Sequence, residues 1–110
     1  MTVPAHSLKV GDILVSSWGY DQTNIDFYLV IASNPSTVKI RQLAQRTTED
    51  GFMCGQTVPI LGQFKEDSKV MLKRPRVYEW RGEWHSSVKI EDFASASKWD
   101  GNPCRCSWYA

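Results

Sequence analysis

Three carboxylates could do chemistry in this chain: Asp21, Asp26 and Asp100. Clustered carboxylates perform general acid–base work or hold a divalent cation when the fold brings them together. An enzyme built on them would need all three to converge in one pocket. Asp100 precedes Gly101, and an Asp-Gly pair commonly braces its own turn. His6 and His85 are the only imidazoles, the side chains that titrate near neutral pH. His85 adjoins Ser86 and Ser87, but neighbours on a strand point to opposite faces, so His85 does not readily activate Ser86. No nucleophile elbow, phosphate loop, paired metal motif or dinucleotide fingerprint occurs. These residues therefore name no catalytic group and no cofactor.

The cysteines are Cys54, Cys104 and Cys106. With His85 they are the only conceivable soft-metal set, and Cys-x-Cys is poor zinc spacing without a second close pair. No metal site is expected. The N-terminal residues lack the basic and apolar runs of a secretion signal. An odd cysteine count in that context predicts free thiols and a reducing cytoplasm. A bridge from Cys54 to Cys104 or Cys106 would require an oxidising setting.

Two segments have the composition of binding surfaces. Residues 19–24 place Tyr20, Asp21, Gln22 and Asn24 between apolar runs, with Trp18 and Tyr28 beneath as an aromatic floor. A polar loop over aromatics is a common ligand or partner site. The same residue types also brace a loop's own backbone. The second segment, residues 65–81, holds six basic residues against three acidic ones. Within it Lys73, Arg74, Arg76 and Arg81 interleave with Tyr78 and Trp80, and Trp84 follows. Basic residues among aromatics grip single-stranded nucleic acid by phosphate pairing and base stacking. They equally protect an edge strand from edge-to-edge pairing. The near-neutral chain and the lack of a basic tail favour the edge strand. Trp99 joins the candidate binding residues because Trp, Tyr and Arg dominate interface energetics.

The elements must position these groups. The chain has 110 residues, is 42% hydrophobic and 23% charged, and carries 13 Trp, Tyr and Phe. That aromatic load excludes a disordered segment, and the formal charge of +1 excludes a strongly basic nucleic-acid wrapper. No run approaches the ~20 apolar residues of a membrane-spanning helix. Helical periodicity is almost absent, and short β-branched and aromatic runs are broken by turn residues. Strands are predicted over 13–18, 25–33, 37–46, 52–61, 69–77 and 104–109, with a short one at Val88 and Ile90 and a hairpin over 78–85. Residues 25–46 read as a hairpin with a bulge after Arg41. Residues 47–51 read as a loop. Gly55 and Pro59 make 52–61 an irregular or edge strand, whose free edge makes a weak dimer conceivable beside a monomer. Pro75 confines 69–77 to an edge or a bulge. Arg81-Gly82 reads as a tight hairpin turn. A single helical turn is expected near 91–98. The expected class is all-β: one domain over 1–110, a small SH3-like barrel or a strongly bent antiparallel sheet. Trp18, Phe27, Tyr28 and Phe93 are expected in the core. Trp80, Trp84, Trp99, Trp108 and Tyr109 fall at turns or at the chain end.

Residues 17–28 (SWGYDQTNIDFY), with WDGNP at 99–103 and SWYA at 107–110, resemble an uncharacterised family of small bacteriophage and mobile-element proteins. The resemblance covers most of the chain. It implies a phage or prophage accessory protein and assigns no catalytic residues. With the aromatic surplus, the expected function is non-enzymatic binding of a host or phage macromolecule, foremost a protein; inhibition of a bacterial defence system is one form of this. Nucleic-acid binding through the basic, aromatic edge and catalysis by Asp21, Asp26 and Asp100 are the alternatives.

Overall fold

Strand β2 (Asn24–Ser33) is buried on both of its faces. Leu14, Tyr28, Val30, Val38, Ile40, Val88 and Ala96 pack on one side of the sheet. Ile25, Phe27 and Leu43 pack on the other, against Ile13, Val15, Leu29, Phe64, Trp99, Cys104 and Cys106. A strand with no solvent face carries continuous apolar sequence, as residues 27–32 do. The computed structural model describes residues 6–19, 23–51, 54–91 and 94–107.

The protein is all-β. The remaining strands are β1 (Ile13–Trp18), β3 (Val38–Gly51), β4 (Cys54–Phe64), β5 (Met71–Lys73), β6 (Arg76–Trp80), β7 (Glu83–Glu91), β8 (Ala94–Lys98) and β9 (Cys104–Ser107). They form one strongly curled antiparallel sheet in the order β6-β7-β8-β1-β2-β3-β4-β9, with β5 on the first half of β3. The predicted hairpin of residues 25–46 is present as β2 and β3, with register shifts near Ile31 and near Ala44. The second shift falls slightly beyond the expected bulge. Strand β3 bends there: its first half pairs β2 and β5, its second half β4. Residues 47–51, expected as a loop, continue β3 because β4 runs back along them.

The expected single strand of residues 69–77 is two strands. Pro75 lacks the N–H a ladder needs, and the chain breaks at Arg74 and Pro75. Strand β5 lies against β3, and β6 lies against β7 at the far end of the strand order. Two residues thus connect distant members of the sheet, which holds the curl in a barrel-like shape. The Lys73 ammonium reaches 3.5 Å from the Ile90 carbonyl on β7, reinforcing that connection. The expected helical turn near 91–98 is instead β8. Ala94 and Ala96 alternate inward between β1 and β7, and those two strands satisfy the β8 backbone.

The expected free edge of residues 52–61 is covered over part of its length. Strand β4 lies between β3 and β9 at Cys54–Thr57, so the C-terminal strand occupies that part of the edge proposed for dimer pairing. Pro59 sits in β4 next to the register shift, where the ladder is already interrupted. The Arg81–Gly82 turn has φ values of 53° and 78°. Positive φ at both central residues is the tight turn that matches strand twist, as predicted. Trp18 is half-buried and Phe27 and Tyr28 are core; Phe93 lies outside the described residues. Among the described residues no helix is long and apolar enough to cross a membrane.

Gly55 is buried where β3, β4 and β9 lie side by side, and a Cβ there would strike the Thr48 carbonyl. Backbone cannot yield as a side-chain end can. Gly55→Ala is expected to cost about 1–3 kcal/mol, the range for overpacking. Urea unfolding followed by tryptophan fluorescence measures the loss.

Candidate functional site

The two candidate surfaces lie on different parts of the sheet. The first is the β6–β7 hairpin. Strand β6 pairs only with β7 among the described residues, so its outer edge is free. Tyr78, Trp80 and Trp84 are 45%, 60% and 44% exposed. Tyr78 lies opposite His85 and stacks on it with ring centroids 5.5 Å apart. Trp80 lies opposite Glu83 on the same face, and Trp84 opposite Glu79 on the other. The Arg81 guanidinium sits 5.5 Å from the centre of the Trp80 ring. Arg74 and Arg76 are exposed beside them. The sequence-predicted residues Arg74, Arg76, Tyr78, Trp80, Arg81 and Trp84 are thus all exposed on or beside one hairpin, with Trp84 on the face opposite Tyr78 and Trp80. A cleft of about 380 Å³ lies at its base, between the hairpin, Ser7 and the end of β8. Ser86 is buried there and accepts a 3.0 Å hydrogen bond from the Ser7 N–H. His85 faces away from it, as strand alternation requires.

The second surface surrounds the start of β2. Asp26 is its hub: Oδ2 accepts a 2.8 Å bond from the Trp18 indole, and Oδ1 a 3.1 Å bond from the Gln42 amide. An open groove of about 750 Å³ runs past Trp18, Asn24, Asp26, Gln45, Phe64 and Cys106. Gln45 braces its floor by donating to the Ile25 carbonyl and to Thr57 Oγ1. Strand β9 closes one wall. The Thr23 N–H donates to Ser107 Oγ at 2.9 Å, and the Ser107 N–H returns to the Thr23 carbonyl at 3.0 Å. The Arg41 guanidinium lies 4.4 Å from the centre of the Phe64 ring. Of the predicted loop residues, Asn24 lines the groove, while Tyr20, Asp21 and Gln22 lie outside the described residues.

Trp99 is half-buried rather than fully exposed. It packs edge-to-face on Phe27 with centroids 5.6 Å apart, and its indole N–H is spent on the Asn102 carbonyl at 2.7 Å. Its position before a turn suggested exposure. The second packed face of β2 draws it inward. Asp100 accepts the Asn102 N–H within its own turn, and that bond holds its carboxyl below the usual range. Asp26 is engaged with Trp18 and Gln42 instead, so these two carboxylates serve separate local networks. Asp21, the third member of the predicted cluster, lies outside the described residues.

Cys54 is on β4 and Cys104 and Cys106 are on β9, whereas His85 is on β7 at the other end of the strand order. Burial pushes the Cys104 thiol up, which makes it a poor nucleophile. Among the described residues no three His, Cys, Asp or Glu are grouped to hold a metal ion. Sequence reasoning missed Ser16, Gln42 and Gln45. The available signal was a polar residue at an inward position, such as Ser16 between Leu14 and Trp18.

No family model matches the chain, and neither a curated protein nor a solved structure matches it.

Tyr28 is buried beside Asp26, and its phenol is pushed up to about 12, first by burial and then by the fields of Asp26 and Glu91. The unfolded chain loses that proton near pH 10 and the folded chain near pH 12. The unfolded state thus binds fewer protons in this window, so stability falls as pH rises from 10 to 12. Tyr28→Phe removes this contribution. Urea midpoints against pH should decline less steeply for Tyr28→Phe than for the wild type between pH 10 and 12.

Proposed function

We propose that this chain is a non-enzymatic binding protein that presents the β6–β7 hairpin to a macromolecular partner, a host or phage protein. One observation carries the reading: Tyr78 and Trp80 face solvent from a strand with a free edge, and Trp84 is exposed on the other face of the same hairpin. Exposed large aromatics are costly to solubility and are the side chains that most often anchor interfaces. Arg76 and Arg81 frame them, and a free strand edge offers main-chain hydrogen bonds to an added strand.

A protein partner fits the charges better than single-stranded nucleic acid does. Glu79 lies directly opposite Trp84, and Glu83 directly opposite Trp80. A phosphate chain tracking the aromatics would meet both carboxylates, whereas a protein can place its own charges against each sign. The resemblance to small phage and mobile-element proteins supplies the setting, an accessory factor acting on a host or phage protein. Inhibition of a bacterial defence system is one form that this role takes.

Affinity capture from a bacterial host lysate tests the reading with the wild-type chain and a Trp80→Ala/Trp84→Ala variant. Loss of a buried aromatic anchor costs about 2 kcal/mol or more, so retention of a specific protein should drop roughly 30-fold or further. Equal capture by both forms would overturn the hairpin assignment. Oligonucleotide binding that weakens steeply with added salt would favour nucleic acid instead.

A further inference from the structure

The barrel interior changes character along β1 and β2. Leu14 and Tyr28 are paired across the strands, and the next inward pair is Ser16 and Asp26. At this polar end lies a pocket of about 240 Å³ lined by Ser16, Trp18, Asp26, Tyr28, Glu91 and the apolar Ile90. Ser16 is 1% exposed, and its hydroxyl has no hydrogen-bond partner. A buried hydroxyl left unpaired is costly and calls for a partner. Asp26 and Glu91 line this space, and among the described residues no lysine or arginine does. Each Asp26 oxygen accepts one protein bond and retains capacity for a second. Asp26 and Glu91 both add to the rise of the Tyr28 phenol after burial, so both fields act on the pocket.

We propose that this pocket binds a small organic cation that carries N–H donors on a short alkyl stem, an alkylammonium or alkylguanidinium group. Ser16 Oγ accepts one N–H, and Asp26 and Glu91 supply the countercharge. The Trp18 and Tyr28 rings offer π surface to the cation, and Ile90 covers the stem. The volume lies below the roughly 300–1,000 Å³ of drug-sized ligand sites, which matches a single amine or one basic side chain. A quaternary ammonium has no N–H for Ser16 and should be rejected. This inference does not rest on the hairpin reading.

NMR titration of the full chain at constant ionic strength tests it, with n-butylammonium, n-butylguanidinium and tetramethylammonium chlorides. Saturable shifts at the Ser16 amide and the Trp18 indole are expected with the first two and not with the third. Ser16→Ala should weaken binding roughly 10-fold or more, as loss of a hydrogen bond to a charged group does. The same variant should unfold at an equal or higher urea concentration, because it removes an orphaned hydroxyl. Glu91→Gln, at an exposed position, should also weaken binding. A capped lysine tripeptide separates the two sources of such a cation. Tighter binding than n-butylammonium identifies a protein side chain, and equal or weaker binding a free amine. Absent saturation with either N–H cation, equal affinity for tetramethylammonium, or unchanged affinity in both variants would overturn the proposal.

Discussion

Phe27 and Tyr28 are neighbours in β2, point to opposite faces, and are both buried. A strand without a solvent side can exist only if other elements cover both faces. Every other large feature of the fold meets this demand. The β5–β6 connection curls β7, β8, β1 and the start of β3 around the Tyr28 side. The bend in β3 brings β4 and β9 over the Phe27 side, where Trp99 completes the packing. A cavity under Phe27 would therefore disturb two packed layers.

The same arrangement explains why polar chemistry collects at one end of β2. Apolar filling ends at Leu14 and Tyr28, and beyond them the inward positions are Ser16 and Asp26. Asp26 is tolerated there because Trp18 and Gln42 satisfy it. A carboxylate at that depth without partners would be strongly disfavoured. Trp18 and Asp26 line both the open groove and the smaller pocket, so one hydrogen-bonded pair shapes two concavities. The hairpin at the other end of the strand order follows a different logic. Its outer edge has no neighbour, and arginines and glutamates flank its aromatics, a pattern that discourages indiscriminate strand pairing while leaving the rings available.

Much of this could be read directly from residues. The continuous apolar run around 27–32 fits a doubly buried strand, and Arg81-Gly82 a tight hairpin. The all-β class and the basic, aromatic character of residues 74–84 followed from the same local signals. Other features depended on distant partners. Residues 94–98 have the composition of a weak helical turn and became β8 because β1 and β7 each needed a neighbour. Residues 54–57 looked like an edge and were enclosed because β9 returned to them.

By itself, then, the sequence determined what each segment can be: extended or turning, apolar on one face or two, charged or aromatic. Those properties are local, set by side-chain alternation, proline's missing N–H and the φ preferences of turn residues. Only the tertiary structure decided which edges are free, that Trp99 is packed while Trp80 and Trp84 face water, and that Ser16, Asp26, Tyr28 and Glu91 share one pocket. Burial and strand pairing are properties of pairs of segments far apart in the chain, and alternation within one segment carries no record of which partner will cover it.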